Sequence, residues 1–573
     1  MSELFPADPR RGLGPAAVDL ADALSTNRIG RRDFLHRGAI LGLSATALAA
    51  LLQACASDES SEPGVGDSAS ADDAGDPTSA SAAGRIAVGV RRGDANSGLD
   101  PVNMTEIGTY ALVAQSFEYL VGVAADGAVA PTALATSWSP NEDGSVWTFV
   151  LREGPTWSTG MPLTSSDVAA TMDRVVLAGN AGFDGVVGEG SVSTPDERTA
   201  VFALAEPNGN FPALLSPDNP QTLITPVDYR SGTTLDGRVE GTGPWILESF
   251  NAPEFVATYR PNPTWWGGNV KSSGIELRGF GDESDALAAL ESGEIDAVQR
   301  VITSSGRSLL GQPAFEMARI ASSAHRQFWF NTRRGLFADH RLRSAIAWAV
   351  DRRGEVDDSN VGCGVVANDH PIHPDLGSVP FFDPNAVDQR LRDIERSRAF
   401  LLDADRTELS AVLHTNETPD SMAAAELLRS SVAAAGITLS IASESDETFY
   451  GETWCPPTES EPYCRDSADF GIIENSHRSL PDVALGRTLG SGGVWNASNY
   501  RNAEFDRLFR QYRRSIDIDG QRSAIGEIQR IVWTDVPFVI TCFDDVVAGS
   551  NGSVSGVEVL PSGQVVLVDA ARS

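Results

Sequence analysis

An α/β architecture is what this sequence predicts, on three observations. Strand-like and helical runs alternate from residue 85 onward, most regularly in the second half. Hydrophobic residues make up 41% and charged residues 21%, the balance of a chain that buries a core. The length, 573 residues, leaves room for several domains or for two large lobes and excludes a small disulfide-stapled fold.

The elements follow in order. RIAVGV (85–90) reads as a strand, and TYALVAQSFEYLV (109–121) carries apolar residues at helical spacing. VWTFVLR (146–152) alternates like a half-buried strand. LTSSDVAATMDRVVLA (163–178) predicts an amphipathic helix with Thr164 or Ser165 as its N-cap. ESDALAALESGEIDAV (283–298) predicts a helix ending near Gly293 and then a short strand. Helices are expected at 342–350, 422–436 and 503–515, separated by strands at 410–415, 438–443, 468–473 and 537–543. No internal repeat interrupts this order.

Charge narrows the function classes. Lys+Arg number 44 and Asp+Glu 78, a net charge of −34, so the surface repels phosphate backbones and a general nucleic-acid binder is excluded.

Residues 31–54 read RRDFLHRGAILGLSATALAALLQA: Arg31 and Arg32 precede an apolar run from Ala39 to Leu52. That run is shorter than the roughly 20 residues of a membrane span. It suits the apolar region of an export signal, and the paired arginines suggest the twin-arginine route. Leu52-Gln53-Ala54-Cys55 resembles a lipoprotein processing site, with Gln53 the less usual residue. Residues 1–54 are therefore expected to be a twin-arginine-type lipoprotein signal peptide, and Cys55 the lipidated residue of an anchored protein. Residues 55–84, rich in Ser, Ala, Gly and Asp, lack the apolar surface to fold and read as a disordered acidic tether.

Setting Cys55 aside leaves Cys363, Cys455, Cys464 and Cys542, for which three pairings exist. In an oxidising compartment the local pair Cys455 with Cys464 is expected first, closing a loop that holds Pro456, Pro457 and Pro462. Cys363 with Cys542 follows by subtraction.

Several blocks, in order, resemble the extracytoplasmic solute-binding proteins of peptide and nickel ABC transporters, family 5. Residues 118–175 contain PTALATSW, DGSVWTFVLR and GMPLTSSDV, similar to the family's "P-x-LA-x-SW", "DG-x-x-(W/Y)-TF-x-LR" and "G-x-PL-(T/S)-x-x-DV". GTGPWILESF (241–250), ALAALESGEIDAV (286–298), GLFADHRLRSAIAWAVDR (335–352) and NYRNAEFDRLF (499–509) resemble further family blocks. Each also has a plain structural reading: Gly241, Gly243 and Pro244 set a tight turn, and Trp138, Trp147 and Phe149 belong to a core.

The resemblance implies a two-lobed periplasmic-binding-protein-like α/β fold with a hinge and an extra subdomain. It places lobe I at 85–325, with 116–222 as the extra subdomain, lobe II at 326–539, and a return to lobe I at 540–573. Crossings fall near HRQFWFN (325–331) and FVITCF (538–543). Lobes of this kind close over a ligand in the cleft between them.

The same resemblance points to site residues. Peptide-binding relatives carry "W-x-x-D-x-x-D-P-D", whose acid pairs with a ligand amine. Aligned on Pro481-Asp482, that acid's position is His477 and the Trp's is Glu474. A buried ammonium without a counter-charge is costly, so Glu474 replaces the anion or the ligand lacks a free amine. Trp495, in LGSGGVWNASNY (489–500), is expected as a stacking wall, with Asn496, Asn499 and Tyr500 supplying hydrogen bonds. Trp454, Trp329, Asn331 and Tyr119 complete the expected cleft lining. His370 and His373 form an H-x-x-H pair, but flanking prolines oppose a helix and no third ligand stands near, so no metal is expected.

The expected function is capture of a peptide or other small solute for ABC permease subunits, without chemistry and without a cofactor, by a monomer held to the membrane through its lipid alone. An oligosaccharide or a metal chelate on the same scaffold is the alternative. A secreted hydrolase is the remote one, since G-x-S-x-G, H-E-x-x-H and P-loop motifs are absent from the sequence.

Overall fold

Two long strands organise the chain. Phe315–Phe330 (16 residues) and Phe538–Asn551 (14 residues) run antiparallel, from the pair Phe315 and Asn551 to the pair Trp329 and Phe538. The computed structural model describes residues 84–573 apart from 94–98, 105, 125–126, 181, 184, 231–240, 302–308, 358–362, 377–380 and 457–463. The expected signal peptide, the tether and Cys55 lie outside the described residues.

The two long strands stand side by side in an 11-stranded sheet. Outward from Phe538–Asn551 come Ala297–Val301, Ile86–Arg91, Ile275–Phe280, Val256–Pro261 and Trp245–Asn251. Outward from Phe315–Phe330 come Phe470–Asn475, Leu409–Asn416 and Ile437–Glu444, while Cys363–Val366 also pairs with Phe538–Asn551. Each wing holds parallel strands and a crossover helix: Glu283–Ser292 carries the chain from Ile275–Phe280 to Ala297–Val301, on either side of Ile86–Arg91, and Pro419–Ala433 joins the paired Leu409–Asn416 and Ile437–Glu444. Between the wings the ladder of the long strands is irregular, with register shifts between Ala321 and His325 and between His325 and Gln327. There the two long strands carry the sheet from one wing to the other, with Cys363–Val366 and the end of Phe470–Asn475 paired alongside.

A separate four-stranded antiparallel sheet lies within 116–222, in the order Ala135–Pro140, Val146–Leu151, Thr199–Ala203, Val192–Asp196. The helix Ser165–Leu177 packs against it. A capping box starts this helix, Thr164 and Asp167 satisfying each other's backbone N–H groups. The alternation read in 146–152 is real: Trp147 and Phe149 are buried on one face, with Phe202 and Phe211 around them. Trp138 is buried beside Phe149.

The helix expected over 109–121 is shorter, Ile107–Val113. Its apolar spacing continues, but the carbonyls of Gln115 and Ser116 turn away to accept hydrogen bonds from Trp245 and Gly243. The Gly-rich turn comes so close that a Cβ on Gly241 would lie 1.7 Å from the Ser116 oxygen, so glycine alone fits there.

Two helices, Ile394–Asp403 and Ile518–Asp535, have no counterpart in the expectations above. Arg343, within the helix His340–Ala349, is buried and donates to the carbonyls of Phe337, Asp535 and Val536, closing the end of the long helix. One apolar core lies under Phe330, Phe337, Ile346 and Phe470. A larger one runs from Ile86, Trp147 and Phe211 through to Leu485, Phe505, Tyr512 and Ile525, so apolar contact is continuous from the N-terminal strands into the helices Ala503–Arg514 and Ile518–Asp535. No helix among the described residues is long and apolar enough to cross a membrane.

Candidate functional site

Residues 182–218 face the segment following the strand Phe470–Asn475. The backbone N–H of Gly209 donates to the Arg513 carbonyl at 2.6 Å. Gln521 donates to Asn210 at 3.1 Å and Ser479 to Asp218 at 2.6 Å. Asp482 accepts from Tyr512 at 2.7 Å and reaches Asn210 at 3.5 Å.

Beside these contacts lies a cavity of about 200 Å³, walled by Gly182, Val186 and Leu214 from one side and by Asp482, Arg487 and Phe509 from the other. Val483 separates it from a smaller cavity of about 40 Å³, lined by Ser323, His325, Asn475, Ser476, Arg478 and Trp495 among others. Burial pushes Asp218 up to about 6 against the hydrogen bond from Ser479, and it lowers Arg478. Together the two spaces offer apolar walls with a few charged and amide groups, the usual make-up of a small-molecule site.

A buried charge network backs the cleft at the hinge. Arg326, 4% exposed, bonds Asp544 and lies 3.4 Å from Asp420, and Arg300 bonds Glu474, 174 residues on, at 3.2 Å. Burial works against the Glu474 charge, but Arg300, Arg326 and Arg91 outweigh it and hold this carboxyl below its ordinary value. Glu474 is thus ionised and already paired.

Trp495 lines the smaller cavity, with the Arg487 guanidinium 5.1 Å over its ring. The other expected residues are tied elsewhere. His477 is buried beside the hinge strand, its Nδ1 accepting from the Ser323 N–H at 3.0 Å, and burial with nearby Arg478 pushes it down to about 3. A neutral imidazole cannot serve as counter-charge to an amine. Asn496 donates to the carbonyls of Gly490 and Tyr500 and accepts from Ser498, shaping its own loop. Asn499 donates to the Cys464 carbonyl, and Tyr500 to Asp535. Asn331 donates to Ser467, Trp329 to Ala468 and Tyr119 to Pro220, all on backbone carbonyls. Trp454 stands edge-on to Tyr450, and its indole N–H is buried without a partner.

Cys455 and Cys464 form a disulfide, next to the loop that carries Trp495. Cys542 is disulfide-bonded as well, and the side chain of its expected partner, Cys363, lies outside the described residues. His373 accepts from the backbone N–H groups of Asp375 and Leu376, and His370 lies 3.4 Å from Gln529, so the two imidazoles serve separate contacts. Among the described residues no group of three or more His, Cys, Asp or Glu could hold a metal.

Sequence reasoning missed Asn475, Ser476 and Arg478, all within two residues of His477, and His325 at the head of the crossing segment. The aligned motif marked one position, whereas the cavity is lined by the residues around it.

Comparison with known proteins gives a consistent result. The family model described as "Bacterial extracellular solute-binding proteins, family 5 Middle" matches residues 131–463. The "Probable D,D-dipeptide-binding periplasmic protein" of Escherichia coli K12 is 22% identical over 462 residues, 77% of this chain and 85% of that protein. The periplasmic murein peptide-binding protein of the same organism is 23% identical over 472 residues, 78% of this chain and 85% of its own length. Among solved structures, an ABC transporter substrate-binding protein of Listeria monocytogenes superposes with a TM-score of 0.72 at 18% identity, covering 86% of this chain and 99% of that one.

Proposed function

The chain belongs to family 5 of the bacterial extracellular solute-binding proteins, and from that premise we propose that it captures a peptide-like solute between its lobes and delivers it to an ABC importer. The observation that carries this reading is the pair of adjoining cavities, the larger walled by Gly182–Leu214 on one lobe and Asp482–Arg513 on the other. A space bounded from both sides and spanned by two strands is one that opening would empty and closing would seal. The dipeptide- and murein peptide-binding relatives support a peptide-like cargo.

We assign lobe I to 85–325 with 540–573 and lobe II to 326–539, the register shifts from Ala321 to Gln327 marking the hinge. Binding without turnover is the proposed role. Micromolar affinity asks for only about 8 kcal/mol, well within what a closing cleft supplies. The protein works outside the cytoplasm, and anchoring through a lipid on Cys55 is proposed from the LQAC sequence. Replacing Cys55→Ser then releases the protein from the membrane fraction, and retention there removes the anchor. For the receptor role, native mass spectrometry of protein purified from its own host identifies a co-purifying ligand. X-ray scattering before and after its removal is expected to show compaction with ligand; identical profiles overturn the reading.

A further inference from the structure

The smaller cavity carries unsatisfied polar atoms of two kinds. His325, 2% exposed, lies with Nδ1 2.8 Å from the Ser323 carbonyl. A carbonyl only accepts, so the ring proton sits on Nδ1 and Nε2 is left as a lone pair. Burial pushes this imidazole down to about 4, which keeps it neutral. That Nε2 is buried with no hydrogen-bond partner, and so is Nδ2 of Asn475, a donor lining the same space. No carboxylate lines the cavity, and its one charged lining side chain is Arg478.

Three kinds of group can be set against this lining. An ammonium satisfies His325 Nε2 but leaves the Asn475 N–H unmet and lies beside the Arg478 cation. A carboxylate accepts from Asn475 and suits Arg478 but faces the His325 lone pair with its own. A neutral group that both donates and accepts meets both orphan atoms, and buried polar atoms left unmet are costly.

We infer that this cavity receives an uncharged amide of the ligand, its N–H donating to His325 Nε2 and its C=O accepting from Asn475 Nδ2. The solute therefore enters here with a capped or internal peptide group instead of a free amino terminus, while the larger cavity beyond Val483 takes the remainder. His325 and Asn475 become specificity-determining residues. The inference rests on the reading that the cleft holds a peptide-like solute.

The test presents the full chain with a mixture of N-acetyl dipeptide N-methylamides and, separately, with the same dipeptides uncapped, reading bound species by native mass spectrometry and affinity by calorimetry. Capped species are expected to bind the wild type at least tenfold more tightly. Asn475→Asp, which places an anion in the cavity, is expected to reverse that preference, and His325→Phe to weaken capped binding about tenfold. Because His325 is buried at the hinge, the Asn475 variant, at the half-buried end of its strand, keeps the test decisive if the other fails to fold. Uncapped dipeptides favoured by the wild type, or an unchanged preference in Asn475→Asp, overturn the inference and leave the peptide reading standing. Binding of neither mixture overturns both.

Discussion

Arg326 donates to both carboxylate oxygens of Asp544 at 3.1 Å, and the two residues sit on the two strands that pass between the lobes. Both are buried, so the pair is held away from water in the part of the molecule that must bend. Asp420 and Glu474 add negative charge around the same guanidinium, and together with Asp544 they keep Arg326 protonated despite its burial. Buried opposite charges are thus concentrated where the two long strands change register.

Breaking that pair on one side is expected to be costly. Asp544→Asn leaves a buried guanidinium without its hydrogen-bonded partner, with only the more distant charges of Glu474 and Asp420 facing it, and loss of one partner of a buried ion pair costs about 3–5 kcal/mol. Urea denaturation with an unchanged m-value should register the loss. A midpoint equal to wild type would mean that Asp544 is not the partner that offsets the Arg326 charge.

His477 predicts a defined pH response. Burial holds it near 3, well below the ordinary histidine range near 6.5, so the unfolded chain binds the proton first. Its contribution to stability is present above about pH 6.5 and is lost, at about 1.4 kcal/mol per pH unit, as the pH falls toward 3. Asp218 and Glu118, raised by burial to about 6 and about 7, act in the opposite direction, so the whole-protein slope mixes both signs. The clean comparison is wild type against His477→Gln, whose glutamine oxygen can still accept from Ser323. Thermal melts at pH 7, 6 and 5 should show the variant losing less stability on acidification. Parallel curves would show that His477 titrates normally.

The Cys455–Cys464 disulfide closes a short loop, the two residues being 9 apart in sequence. Constraint of so short a loop stabilises by about 3 kcal/mol in the chain-entropy account. The Cys464 carbonyl also accepts from Asn499, which follows Trp495 in its loop, so the bridge steadies the cavity wall as well. Cys455→Ser with Cys464→Ser is expected to lower stability by about that amount in urea denaturation under oxidising conditions, where the bond at Cys542 stays intact. A double variant as stable as wild type would assign the bridge no part in the fold.

Legibility from sequence differed sharply between scaffold and site. The capping box at Thr164, the alternation through Trp147 and Phe149, and the local cysteine pair are signals written within a few residues of each other, so spacing reveals them. The helix expected to Val121 ended at Val113 because Gly243 and Trp245, more than a hundred residues on, take over its carbonyls. The site was harder for the same reason. Asn496 and Tyr500 have the right chemistry for a ligand, but their polar atoms are consumed by neighbours in the fold, which no residue pattern displays. Conversely no motif marks His325 as a ligand residue: its tautomer, set by the Ser323 carbonyl, and its unmet Nε2 arise only from the fold.

Gly209 gives the most direct test of gripping by two lobes. In the lobe division proposed above it lies on the first lobe and Arg513 on the second; its N–H donates to the Arg513 carbonyl, and a Cβ built on it would lie 2.1 Å from the Ser515 carbonyl oxygen. That oxygen is backbone, fixed at the end of the helix Ala503–Arg514, and cannot swing aside as a long side chain would. Gly209→Ala therefore strains the closed arrangement and leaves the interior of each lobe intact. Ligand affinity is expected to fall at least tenfold, about 1.4 kcal/mol, since closure must now be achieved against that contact. Scattering should find the variant more extended than wild type at equal ligand concentration, while its unfolding midpoint without ligand changes little. If the variant is as compact as wild type and binds equally well, the approach of Gly209 to Ser515 is no part of the bound state.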